Sequence, residues 1–94
     1  MSHEGSPEQS GLRFEIKRSV MNYLVRHPNA KDTEEGIRQW WLPDSMRELH
    51  SREIGLALEG LSETGWITIA RFGGTTVYGL ERTRLNEILS WLEN

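Results

Sequence analysis

The stretch from Ser45 to Leu80 constrains the fold most strongly, because it joins a helical pattern directly to a hairpin pattern. Its first apolar residues recur at i, i+3, i+4 and i+7, the spacing of one helix face: Ile54, Ala57, Leu58 and Leu61. Gly65 then ends the helix, since glycine readily adopts the left-handed conformation that closes a helix. Strand-like runs follow on both sides of Gly73-Gly74. The stretch therefore predicts a helix that leads straight into a two-stranded hairpin.

Two starting points fit this helix. Ser51 is a suitable N-cap, because its hydroxyl can accept a hydrogen bond from a free amide of the first turn. Ser45 and Glu48 also have the spacing of a capping box, in which the glutamate side chain reaches back to the cap. Both signals are satisfied by a short turn over 45–49 and a main helix from about Ser51.

The register of the hairpin follows from its turn. Two consecutive glycines suit a two-residue primed turn, in which both central residues need positive φ. A turn closed at Gly73-Gly74 pairs Phe72 with Thr75. The pairing then continues residue by residue along the two strands and ends with Ile67 opposite Leu80. One face of this hairpin is apolar and is the predicted core face: Ile67, Ile69, Tyr78 and Leu80.

Two more helical patterns lie towards the ends of the chain. Leu12 to His27 predicts the first helix, which stops before Pro28 and is apolar over more than half of its circumference. Thr83 is a good N-cap for the last helix, whose apolar stripe ends at Leu92. Trp91 lies off that stripe, so it either packs against the hairpin or the first helix, or takes part in a homodimer. The wide apolar surface of the first helix is a second candidate for such a contact.

A further helix is predicted between these segments, from Asp32 to Leu42. Asp32 and Glu35 have the spacing of a capping box, and acidic residues suit the positive end of a helix dipole. Ile37, Trp40 and Trp41 fall at i, i+3 and i+4, so both indoles are expected on one core face. Core packing is favoured over a platform on which bases stack.

Composition bounds the remaining properties. Residues 1–11 are rich in Ser, Gly and Glu, so we expect a disordered tail before a single domain over 12–94. The chain has no cysteine, which excludes disulfides and thiolate metal sites. No apolar run approaches the roughly 20 residues that span a bilayer, and no signal-peptide pattern is present. The sequence therefore predicts a cytoplasmic protein without membrane contact.

The predicted fold is α+β and mostly α, with the order α-α-α-β-β-α and a two-stranded wing hairpin. Over about 12–94 it resembles a winged helix-turn-helix domain of the small bacterial type. The resemblance is carried by helix 33–42, the turn at Pro43-Asp44, the helical pattern 54–61, Gly65-Trp66-Ile67 and the Gly73-Gly74 wing. It implies a macromolecule-binding module, because such domains most often bind DNA, while others bind RNA or dock proteins. In the DNA-binding members the third helix enters the major groove and the wing contacts the neighbouring backbone or minor groove.

The distribution of charge disagrees with the commonest of these roles. Residues 32–63 contain eight acidic residues against three arginines, whereas residues 13–31 contain five basic residues against one glutamate. Phosphate contacts supply most of the non-specific affinity for DNA, so an acidic third helix should bind DNA weakly or not at all. A protein-docking or regulatory role is therefore slightly favoured, and a DNA-binding transcriptional regulator is the alternative.

The two roles use different residues. For duplex DNA the resemblance implies that Arg52 contacts bases, and the candidates for phosphates are Arg47, Arg71 and Arg82. The basic first helix is a second, unconventional face for DNA. For a protein partner the candidates form a small apolar spot with acidic neighbours, suited to a basic segment: Leu56, Glu59, Gly60 and Glu63.

No pattern indicates catalysis. The histidines are scattered at positions 3, 27 and 50, and no third ligand accompanies His50 and Glu53 to make a metal site. Gly73-Gly74 lacks the flanking residues of a phosphate-binding loop and is explained by the turn. We therefore expect no enzyme activity, no cofactor and no metal.

Overall fold

A computed structural model describes residues 7–44 and 51–93. Over these residues the protein is mostly helical and has one small antiparallel sheet, an α+β architecture. Its elements are α1 (Pro7–Arg26), β1 (Lys31–Asp32), α2 (Glu34–Gly36), a π-helical turn (Ile37–Trp41), α3 (Ser51–Thr64), β2 (Ile67–Phe72), β3 (Thr75–Leu80), a 3₁₀ turn (Arg82–Arg84) and α4 (Leu85–Glu93). None of the helices in this part of the chain is long and apolar enough to cross a bilayer.

The core lies where the four main helical segments meet the base of the hairpin. Its most deeply buried members come from α1, the π-helical turn, α3 and α4: Ile16, Val20, Met21, Leu24, Ile37, Ile54, Ala57, Leu58, Leu61 and Ile88. The four apolar positions predicted for the core face of the third helix are all among them, so that prediction is confirmed. Burial of these side chains is the main driving force for folding.

The end of α3 is set by Gly65, as predicted. Gly65 has φ +87°. Its amide donates to the carbonyl of Ser62 at 3.0 Å, and the amide of Trp66 donates to the carbonyl of Leu61 at 3.0 Å. These two bonds form a Schellman motif, which satisfies the last carbonyls of the helix and turns the chain into β2.

The hairpin has the predicted register, but the sheet has one strand more than predicted. β2 and β3 pair from Phe72 opposite Thr75 to Ile67 opposite Leu80. β1 then pairs with the other side of β3, which gives the order β1-β3-β2. The predicted two-stranded sheet is therefore wrong in strand number. A strand of two residues is too short to show a hydrophobic period, so the sequence pattern does not reveal it.

The second helical segment is capped by a different residue from the predicted one. Thr33 is its N-cap, and the Thr33 hydroxyl accepts from the amide of Gly36 at 3.2 Å. Asp32 instead belongs to β1, and its carboxylate accepts from the amide of Thr33 at 2.8 Å. The predicted capping box of Asp32 and Glu35 is therefore wrong, because pairing with β3 holds Asp32 in an extended conformation.

The same segment separates the two tryptophans that were predicted to share a core face. Trp41 is 6% exposed, whereas Trp40 is 68% exposed. Both lie in the π-helical turn, whose i→i+5 hydrogen bonds widen the helix. The wider turn aligns Trp41 with Ile37 and carries the i+3 position towards solvent. The prediction is therefore wrong for Trp40 and confirmed for Trp41.

α1 begins at Pro7, more than one turn before the predicted start at Leu12. Proline is favoured at the first helical position, because its missing amide would have no partner there. Residues 7–11, which the sequence places in a tail, are therefore part of a helix. Residues 1–6 lie outside the described residues.

Trp91 joins α4 to α1 and to the base of the hairpin. Its ring meets Phe14 edge-on at 5.5 Å and Trp66 at 5.0 Å between centroids. The guanidinium of Arg18 lies 6.0 Å from the centroid of the Trp91 ring and also donates to the carbonyl of Leu92 at 3.0 Å. Of the two interpretations of Trp91, the structure shows the packing one. A homodimer contact through Trp91 or α1 stays a prediction.

Candidate functional site

A groove of about 290 Å³ opens between α3 and the sheet, because the chain reverses at Gly65 and β2 returns alongside the helix. The helix side of the groove carries residues at i, i+4, i+7 and i+8, and the sheet side carries one residue from each of two strands. The lining is Gly55, Glu59, Ser62, Glu63, Ile69 and Tyr78. The groove thus combines carboxylates from one element with apolar surface from another.

The floor of the groove comes from Ile69 and Tyr78, which are directly opposite each other on β2 and β3. Both were predicted to face the core, yet Ile69 is 47% exposed. The core reaches only the base of the hairpin, where Ile67 and Leu80 are 5% and 8% exposed. The prediction is therefore wrong for Ile69, because the hairpin extends past the core there, whereas Tyr78 is partly buried and packs against the core.

The walls of the groove are acidic. Glu59 and Glu63 lie one helical turn apart on α3 and are both exposed. A third carboxylate approaches from α2, since a Cβ atom at Gly55 would lie 3.6 Å from Oε1 of Glu34. Burial raises the pKa of Tyr78 above its ordinary value, the negative charge of Glu34 raises it further, and the positive charge of Arg71 partly opposes this rise in pKa. The groove therefore presents an apolar floor beneath negative charge.

The raised pKa of Tyr78 gives a pH-dependent prediction. The folded protein holds the phenol protonated more strongly than the unfolded chain does, so this contribution to stability is complete below the unfolded pKa of about 10. It is lost as the pH rises from there through the folded pKa. The absorbance change of tyrosinate formation, taken as wild type minus Tyr78→Phe, should have its midpoint above pH 10. A midpoint at or below pH 10 would contradict the partial burial of Tyr78 near Glu34.

The structure divides the predicted docking residues between two sides of α3. Glu59 and Glu63 line the groove. Gly60 faces α1 instead, because a Cβ atom there would lie 2.8 Å from Nζ of Lys17. Leu56 is half-buried and does not belong to the lining. Of the predicted spot, the two glutamates thus lie in the groove. The apolar surface of the groove comes from the sheet.

Among the described residues, the predicted DNA contacts lie at three places: the start of α3, the tip of the hairpin and its base. Arg47 lies outside them. Arg52 and Arg71 are exposed, on the first turn of α3 and near the tip of the hairpin. Arg82 follows β3 at the base of the hairpin, where its guanidinium donates to the side chain of Asn29. The length of a six-residue strand, roughly 20 Å, therefore separates Arg71 from Arg82.

The basic residues of α1, the second face considered for DNA, make contacts inside the fold. Arg13 pairs with Glu53 of α3, with 3.3 Å between Nη2 and Oε1. Lys17 covers Gly60 of the same helix, and Arg18 is bonded to α4. Arg13 and Arg18 thus bond α1 to neighbouring helices, and Lys17 lies against α3.

A second hollow lies on the outer surface of α1. It is larger, at about 400 Å³, and is lined by Phe14, Glu15, Arg18, Ser19 and Asn22. It is formed along a single helix, and its one acidic and one basic residue give it no net charge. The groove between α3 and the sheet is therefore the better candidate, because a helix and two strands shape it and both charged residues of its lining are acidic.

Comparison with known proteins assigns no site to this chain, so the site is assigned from its geometry. No family model, curated protein or solved structure matches the chain. Within 7–44 and 51–93, no three His, Asp or Glu side chains are grouped so that they could hold a metal ion. The candidate site is thus a binding groove defined by its shape and charge.

Proposed function

We propose that the chain is a non-enzymatic protein-docking module of the winged-helix type, and that the groove between α3 and the sheet takes a basic, partly apolar segment of a partner protein. One observation carries the proposal: Glu59 and Glu63 border a floor made of the exposed Ile69 and the partly buried Tyr78. Lysine or arginine side chains of the segment pair with the carboxylates, and the apolar stems of these side chains cover the floor.

The winged-helix part of the proposal is supported by the way the chain enters the hairpin. α3 ends in a Schellman motif at Gly65 and passes directly into β2, as a third helix passes into a wing. The hairpin turns at Gly73 and Gly74, which have φ values of +58° and +87°. β1 adds a short strand to this wing. The proposed module covers about 12–94, and α1 extends it back to Pro7.

Charge favours a protein partner over DNA. In the DNA-binding members that the chain resembles, the third helix and the wing approach phosphates together. Here the space between these two elements contains Glu59 and Glu63, which repel phosphates. DNA binding is the alternative function, and the exposure of Arg52 and Arg71 supports it.

Parallel titrations of labelled protein, followed by amide NMR at low salt, test the proposal. The ligands are an octapeptide of alternating Lys and Val, an octapeptide of alternating Glu and Val as the control, and mixed-sequence duplex DNA. We expect the Lys–Val peptide to shift the signals of Glu59, Glu63, Ile69 and Tyr78, and the control peptide to shift none of them. A DNA binder should show a dissociation constant of about 10⁻⁴ to 10⁻⁶ M even at physiological salt. Shifts at Arg52 and Arg71 with DNA, and none with the Lys–Val peptide, would reverse the assignment.

A further inference from the structure

β2 is an edge strand with little of the usual protection, since Arg71 is its one charged residue. In the order β1-β3-β2, one side of its backbone has no strand partner within the described residues. Proteins normally protect such edges with proline, lysine, bulges or very short strands. β2 has the sequence ITIARF, its register with β3 is continuous over all six residues, and only Ile67 is buried. The strand is therefore open to pairing with another chain.

The register identifies which backbone groups point outwards. In a two-residue hairpin the pair next to the turn, here at Phe72, is hydrogen-bonded across the strands. Hydrogen-bonded pairs then recur at every second residue. The bond from the amide of Glu81 to the carbonyl of Trp66, at 3.0 Å, fits this alternation at the base of the hairpin. The residues between these positions, Ile69 and Arg71, therefore direct their N–H and C=O groups to the open edge.

We propose that the partner segment binds as an added β-strand on the edge of β2, an inference that rests on the proposed docking function. The main-chain groups of Ile69 and Arg71 pair with the segment, as in other cases of strand addition. Alternate side chains of the segment then face α3, on the side where Ile69 lies, and these are the basic ones that reach Glu59 and Glu63. The β-branched side chains lie on the opposite face, beside the exposed Ala70 and Phe72 of β2. The preferred ligand is therefore an extended segment in which basic and β-branched residues alternate.

The charges favour this ligand over a second copy of the chain. Antiparallel pairing of two β2 edges would place both α3 helices on the same face of the joined sheet. Glu59 and Glu63 of one copy would then approach the same residues of the other copy, and like charges brought together destabilise an interface. A basic segment of another protein meets the same carboxylates with the opposite charge.

Hydrogen exchange tests the backbone geometry residue by residue. In the free protein, the amides of Thr68 and Ala70 should exchange slowly, and those of Ile69 and Arg71 quickly. With the Lys–Val octapeptide bound, we expect exchange at Ile69 and Arg71 to slow at least tenfold. The same peptide N-methylated at every residue keeps its charge but has no backbone donor, so we expect it to bind at least tenfold more weakly.

The outcomes separate this inference from the docking function. If the N-methylated peptide binds equally well, and Ile69 and Arg71 gain no protection while Glu59 and Glu63 still shift, strand addition is overturned and the docking groove stands. If the Lys–Val peptide shifts no groove signal, the docking function fails as well. Protection of Ile69 that rises with protein concentration, without peptide, would identify a second copy as the occupant and would also overturn the inference.

Discussion

The Glu59→Lys, Glu63→Lys double variant is expected to bind the Lys–Val octapeptide at least tenfold more weakly than the wild type does. Both substitutions remove an attraction and introduce a repulsion of the peptide lysines, and the two positions lie side by side on α3. Glutamate and lysine have similar helix propensities, so the helix should be retained. The measurement is the dissociation constant from the NMR titration at physiological salt, with circular dichroism to check the fold.

A matched variant separates the local effect from the change in net charge. Glu15→Lys combined with Glu93→Lys reverses the same number of charges at exposed positions of α1 and α4, outside the groove. The dissociation constant of this control for the peptide should stay within about threefold of the wild-type value at physiological salt. At that salt concentration, screening limits charge effects to a Debye length of about 8 Å. Equal weakening in both variants would show that the peptide responds to net charge alone. Unchanged binding by the groove variant would remove the groove as the site.

The parts of the fold that local signals specify were predictable from the sequence. Gly65 and the apolar period before it define the end and the inner face of α3, and two glycines define the register of the hairpin. The parts that depend on tertiary contacts were not. β1 exists only because Lys31 and Asp32 meet β3, and no local preference indicates that the turn at Ile37–Trp41 adopts π geometry.

The candidate site shows the same division. Glu59 and Glu63 were predictable, because they lie opposite the core face of a helix with a clear period. Ile69 and Tyr78 have the alternation of a buried face, and their exposure depends on how far the hairpin extends beyond the core. The approach of Glu34 to Gly55 also depends on how α2 docks, which no spacing in the sequence reports.

Leu58→Ala is expected to have the largest effect on stability of the changes considered. Leu58 is 1% exposed and belongs to the core, so truncation removes buried apolar surface and leaves a cavity. Leucine-to-alanine changes at such positions typically lower the free energy of unfolding by about 2–5 kcal/mol. That is a large fraction of the roughly 5–15 kcal/mol that stabilises an ordinary domain. Urea unfolding, followed by circular dichroism, measures the loss at constant m-value.

Leu56→Ala is the control, because it makes the same chemical change in the same helix at a half-buried position. We expect it to lower the free energy of unfolding by about 1 kcal/mol or less. Leu56 also lies outside the lining of the groove, so the affinity for the Lys–Val peptide should not change. A tenfold loss of affinity in this variant would restore the docking spot that the sequence predicts around Leu56 and Gly60. Equal losses of stability at the two positions would contradict the orientation of α3, and with it the placement of Glu59 and Glu63 in the groove.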